Sequence, residues 1–152
     1  MDLRTHIPDG CLLPRLACAG KEEAVAALAT AVARAVGLPD DRALRQEILA
    51  REAVGDTSVG LGVAIPHIRT SLVERPLLAV ATLSPPLPRE GNEPPVDVLL
   101  LIVGPQQDPR AMLRLLARLV RQVKAPGFLQ TLRGSTTVEE LGRAFPVEAP
   151  PA

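Results

Sequence analysis

Aromatic residues are almost missing from this chain: two Phe, no Trp and no Tyr among 152 residues. That removes the ring platforms on which bases of single-stranded nucleic acid stack. It also leaves Leu, Val, Ile and Ala to build the core. Charge of neither sign is in excess, since 17 Lys and Arg balance 17 Asp and Glu. No overall basic field is available to draw in a phosphate backbone, so only a local basic patch is left open and no nucleic-acid partner is expected. Cysteine is scarce too. Cys11 and Cys18 are not spaced as C-x-x-C, and no His or Cys accompanies them at ligand spacing. Reduced thiols acting as small hydrophobes are expected, with no metal site. Long apolar runs are lacking: "VLLLIVG", Val98 to Gly104, is far too short to span a bilayer. The beginning, "MDLRTHIPDG", has no charged-then-apolar signal pattern. A soluble, cytoplasmic protein is the expectation.

What is present reads as one domain over residues 1–152, long enough for a core without staples. "CLLPRLACA" is a short strand or an extended entry, placed towards a sheet edge by Pro14. In "GKEEAVAALATAVARAVGLPD", Val25, Leu28, Val32 and Val36 recur at helical spacing, and Gly37 and Pro39 stop the helix. A second helix follows a cap at Asp40 or Asp41 and runs to about Ala53, with Leu44, Ile48 and Leu49 inward. Gly55 to Gly62 reads as a loop, "VAI" as a buried strand leading into Pro66 and His67, and Pro76 to Leu83 as another strand. The Pro-rich "SPPLPREGNEPP" is long for a connection and suggests an exposed excursion. "VDVLLLIVG", apolar on both faces, is the central strand. In "DPRAMLRLLARLVRQV", Asp108 caps a helix, Pro109 opens it, and Met112, Leu115, Leu116, Leu119 and Val123 form its stripe. "FLQTL" is a short helix, "TTVEELGRAF" begins with a capping box of Thr136 and Glu139, and the tail from about 146 is expected to fray. Helices alternating with short apolar strands define the α/β class.

The stretch "GLGVAIPHIRT", Gly60 to Thr70, concentrates the chemistry. Gly60 and Gly62 let another group approach the main chain, and Pro66 fixes the chain direction just before His67. A neutral imidazole is a competent nitrogen nucleophile near neutral pH. Thr57, Ser58 and the small-residue amides around them could form an anion-receiving concavity, and Arg51 and Arg69 could add positive charge. No Gly-Lys-Ser/Thr follows, so a nucleotide-binding loop of the Walker type is disfavoured. A hydrolase is equally unsupported, because no G-x-S-x-G elbow is present and no acidic partner can be paired with His67.

The longer string "REAVGDTSVGLGVAIPHIR", Arg51 to Arg69, resembles the active-site segment of fructose/mannitol-type IIA domains of the phosphoenolpyruvate-dependent sugar phosphotransferase system, a group that includes stand-alone nitrogen-regulatory IIA proteins. The matched features are Arg51-Glu52, Asp56-Thr57, Gly60 and Gly62, Val63-Ala64-Ile65 and Pro66-His67. "KEEAVAALATAV", "PVDVLLLIVGP" and "MLRLLARLVRQV" also resemble family counterparts in order and separation. The resemblance implies a single domain with a mixed sheet and helices on both faces. It implies a phosphotransferase component: His67 accepts a phosphoryl group from an HPr-like phosphocarrier and passes it to a IIB domain, or keeps it as a signal. Arg51 would hold the phosphoryl oxygens, Thr57 would contact them or form the loop, and Arg69 would contact phosphate or partner. Neither cofactor nor metal is implied. No IIB or IIC segment is recognised in the chain, so separate acceptors or a regulatory output are expected.

Two departures from the family pattern stand out. Met112 occupies the place where many members have a second histidine, and methionine can neither donate a hydrogen bond nor carry charge; plain packing is its expected role. Ile68 replaces the small residue that follows Pro-His in many relatives, and either narrows access or packs on a neighbouring strand. Together they motivate the alternative of an interaction module that keeps the IIA fold without transfer. His6 is assigned no role.

Overall fold

The computed structural model describes residues 2–89 and 91–147. A short 3-10 turn at Leu3–His6 precedes strand β1 (Leu12–Leu16), helix α1 (Lys21–Ala35) and helix α2 (Arg42–Val54). Strands β2 (Ser58–Gly60), β3 (Val63–Ala64), β4 (His67–Thr70), β5 (Leu77–Leu87) and β6 (Val96–Pro105) follow. Helices α3 (Pro109–Val123), α4 (Phe128–Gly134) and α5 (Val138–Arg143) complete the chain. The result is one α/β domain with a mixed six-stranded sheet, as expected.

The strand order is β1-β5-β6-β3-β2, with β4 also paired to β6. β6 is central: β5 runs antiparallel along one edge, while β3 and β4 lie parallel along the other. Alternation along β5 and β6 divides the apolar side chains between two covers. Ala79, Ala81, Leu99 and Leu101 pack with Val25, Leu28, Leu44 and Ile48 of α1 and α2. Leu78, Val80, Leu100 and Ile102 pack with Leu115 and Leu119 of α3 and with Leu132 and Leu141. The two phenylalanines, Phe128 and Phe145, meet edge to face on that second side, 5.2 Å apart at 77°.

Four local readings change. Ser58–Gly60 is not loop but a strand, forming a hairpin with β3. "VAI" does not simply end before His67: after Ile65 and Pro66 the chain rejoins β6 as β4, so His67 opens a strand. β5 extends through the exposed Ser84, Pro85 and Pro86 to Leu87, taking up the start of the proposed excursion, because pairing with β6 resumes at Leu87 and Val96 after a register shift. The cap of α5 is one residue later than expected. Thr137 accepts from the Glu140 amide at 3.1 Å, and Thr136 donates to the Glu140 carboxylate at 2.9 Å. Those two hydroxyls hold the Glu140 carboxyl below its ordinary range. Pro146 and Val147 are exposed and outside regular structure. The remainder of the tail expected to fray, 148–152, lies outside the described residues.

Candidate functional site

Pro66 interrupts the strand without shifting its register. Ala64 pairs with Leu99 and His67 with Ile102, so three residues match three across the interruption. The Pro66 carbonyl accepts from the Ile102 amide at 2.9 Å, keeping the ladder continuous although proline has no donor of its own. Val63, Ile65, His67 and Arg69 therefore share one face, the side covered by α3. Along that row burial is lost stepwise: Val63 and Ile65 are core, His67 is half-buried and Arg69 is exposed. The histidine stands where the core opens to solvent.

It opens into a cleft of about 650 Å³ lined by Glu47, Ala50 and Arg51 of α2, His67, Ile68 and Arg69 of β4, Gln106 and Met112. β4 pairs only with β6, so the sheet edge is open here, and the C-terminal half of α2 faces the start of α3 across it. The His67 ring is oriented by a single short bond: Nδ1 lies 2.7 Å from the Ile65 carbonyl. A carbonyl only accepts, so Nδ1 carries the proton, and in the neutral ring Nε2 carries the lone pair. The surrounding charge is uneven. Arg51 and Arg69 bring two guanidiniums, neither in an ion pair with another described residue, against the single carboxylate of Glu47. Glu47 accepts from the Thr70 hydroxyl at 2.8 Å, which ties α2 to β4 beneath the cleft.

Of the four residues singled out in the sequence, His67, Arg51 and Arg69 meet in this cleft, whereas Thr57 is not among its lining residues. The Thr57 side chain is buried and its hydroxyl donates to Glu52 at 3.0 Å, while its carbonyl accepts from the Ile65 amide at 3.0 Å. Thr57 thus shapes the loop. Lys21 closes the same arrangement with an ion pair to Glu52 at 2.6 Å. The neighbouring Ser58 hydroxyl accepts from Arg89 at 2.7 Å, and Arg89 also pairs with Asp56. The polar groups of this loop are engaged with one another and not with the cleft.

Ile68 packs into the core under α1 and α2, with only its edge reaching the cleft. Met112 is buried in the core beneath α3 and contributes to the cleft wall. It sits directly over Gly104, where an added Cβ would lie 2.8 Å from the Met112 Cβ. Glu47 and Gln106 were not recognised from sequence. Glu47 lies one helical turn before Arg51, a signal that was legible; Gln106 follows the central strand without a distinguishing motif.

In this α/β domain one oriented imidazole nitrogen and two guanidiniums face the same open cleft, a combination chemically suited to an anion. A model of the family described as "Phosphoenolpyruvate-dependent sugar phosphotransferase system, EIIA 2" matches residues 7–145. The chain belongs to this family. It is 34% identical over 140 residues to the PTS system 2-O-alpha-mannosyl-D-glycerate-specific EIIABC component of Escherichia coli, covering 90% of this chain and 21% of that much longer protein. It is 32% identical over 142 residues to a nitrogen regulatory protein of Bradyrhizobium diazoefficiens, covering 93% and 92% of the two chains. Among solved structures, the nitrogen regulatory protein IIA-Ntr of Neisseria meningitidis superposes with a TM-score of 0.83 at 20% identity, over 94% of this chain and 98% of that one. The complex of IIA mannitol with phosphorylated IIB mannitol from Escherichia coli gives 0.74 at 15% identity, over 91% and 96%.

Proposed function

We propose that the chain is a phosphoryl carrier in which Nε2 of His67 takes a phosphoryl group from an HPr-like phosphocarrier and passes it to a IIB domain or keeps it as a regulatory signal. The observation that carries this reading is the Nδ1–H bond to the Ile65 carbonyl, which leaves the lone pair on Nε2 in a cleft shared with Arg51 and Arg69. The donor is a protonated phosphoimidazole. As its N–P bond breaks, the Nε2 lone pair forms the new one, the donor leaves as neutral imidazole and the His67 ring becomes cationic. The Ile65 carbonyl, already the acceptor of the Nδ1 proton, stabilises that cation without moving a proton. Arg51 and Arg69 serve the phosphoryl oxygens, whose charge is what a loose transfer state mainly needs neutralised.

Similarity to a mannosylglycerate-specific component supports transport, and similarity to nitrogen regulatory proteins supports signalling. The named partner in the mannitol complex supports a IIB acceptor. Phosphoenolpyruvate as the ultimate donor puts the exchange in the cytoplasm. No described helix is long and apolar enough to cross a membrane, so contact with one would run through a transporter partner.

The test is incubation with phosphoenolpyruvate, the general first enzyme and an HPr-like carrier, read by intact mass at neutral to alkaline pH. The expected result is a gain of one phosphate in the natural chain and none in His67→Ala, with phosphorus NMR assigning the linkage to Nε2. A phosphate on Nδ1 would overturn the tautomer argument. No gain in a folded protein would favour the interaction-module alternative.

A further inference from the structure

From Pro109 to Val138, between Asp108 and Glu139, the chain has six Arg and Lys and no acidic residue. A chain balanced overall is therefore sharply divided, its remainder having six more acids than bases. Helix α3 concentrates the effect. Arg110, Arg114 and Arg121 fall within a narrow sector at 100° per residue, flanked by the half-buried Arg118 and by Lys124 just past the helix end. Met112, Leu115, Leu119 and Val123 point the other way, into the core. Leu113, 57% exposed, lies at the border of the basic sector. None of these five cations forms an ion pair with a described acidic residue. The strip is about 20 Å long at 1.5 Å per residue. Its first turn includes Met112, a wall of the His67 cleft, so the basic strip begins at the reaction site.

We propose that the outer face of α3 is the docking surface for the phosphoryl donor and that the donor meets it with an acidic surface beside its own phosphohistidine. The inference rests on His67 as the acceptor. Charge complementarity names the partner's chemistry, since four cations on one helix and a fifth just past its end, with no acid among them, attract an anionic face and repel a basic one. The donor is the occupant because both outputs, transport and signalling, require it to dock, whereas an acceptor is needed in only one. A folded protein fits better than a nucleic acid because the strip has no aromatic residue to stack a base and an exposed leucine at its border.

The experiment compares the natural chain with R114E/R121E and R114K/R121K, all exposed changes on a retained helix. Transfer from a phosphorylated HPr-like carrier is measured at several salt concentrations, and binding of the unphosphorylated carrier by NMR titration. For the charge reversal, KM for the carrier is expected to rise about tenfold with kcat little changed, and its salt dependence to flatten; the Lys variant stays near the natural chain. Unchanged KM and salt dependence in R114E/R121E, with His67 phosphorylated normally, would overturn the docking surface and leave the carrier reading intact. If His67 takes no phosphate, that reading fails, and the titration decides docking alone: carrier binding lost on reversal supports it, and binding equal in both chains or absent overturns it. Tighter binding to a DNA duplex than to the carrier, lost on reversal, would also overturn it.

Discussion

At the scale of single residues, the chemistry here depends on how few groups of each kind compete. Cys11 is fully buried, and burial, reinforced by the nearby Asp9, pushes its thiol from the ordinary 9.0 up to about 11. Above pH 9 the unfolded chain gives up this proton while the folded chain keeps it. Stability is therefore expected to fall by at most about 1.4 kcal/mol per pH unit between 9 and 11. With no Tyr and only two Lys, few other groups titrate in that window. Urea unfolding across it checks the slope, which Cys11→Ala should largely remove; an equal slope in the variant would assign the loss elsewhere. The same sparseness made His67 legible in the sequence, as one of two histidines set after a proline. Thr57 was not readable to the same degree. Its polarity suited an anion site, but its hydroxyl is taken by Glu52, a partner five residues earlier that only the turn out of α2 brings close.

At the scale of elements, sequence pattern was clear wherever the signal was local. Helix α3 was marked at its start by Asp108 and Pro109 and along its length by a regular apolar stripe, and it forms over Pro109–Val123. The Asp108 carboxylate accepts from the Ala111 amide at 3.2 Å. Asp108→Ala is expected to cost about 0.5–2 kcal/mol in chemical denaturation and Asp108→Asn much less. Because this first turn seats Met112 on Gly104 and carries Arg110, the Ala variant should also loosen the cleft wall, visible as faster amide exchange at Ala111 and Met112. Equal stability of the Ala and Asn variants would show that Pro109 alone starts the helix. Short strands were harder to read. β2 has three residues, too few for alternation to register, and it exists because the hairpin with β3 supplies its hydrogen bonds, whereas the two-residue β3 was legible only as part of the apolar run "VAI". The one-residue slip at the α5 cap has a similar origin: adjacent threonines offer two caps, and the helix takes the later one.

At the scale of the molecule, both apolar covers share a single ribbon. β6 contributes Leu99 and Leu101 to the side under α1 and α2, and Leu100 and Ile102 to the side under α3. Neither layer can lose its sheet surface without exposing the back of the other, so the two sides should unfold together although, among the described residues, the helices supplying one buried core are not those supplying the other. Leu28 on α1 and Leu119 on α3 are each fully buried, one in each cover. Truncating either to Ala is expected to cost about 2–5 kcal/mol. The distinguishing readout is hydrogen exchange along β6. If the covers are coupled, Leu28→Ala and Leu119→Ala both lower protection of the Leu99–Ile102 amides by the same free energy that they remove from global unfolding, and each variant melts in one transition. Two transitions, or β6 protection that responds to only one variant, would mean that one layer survives alone. The coupling matters for the cleft because its walls come from both sides: Arg51 belongs to the α2 layer and Met112 to the α3 layer, with His67 at the sheet edge between them. A shared central strand holds those walls in one register, so the spacing between the arginine and the imidazole is a property of the whole fold and not of the eleven residues around His67.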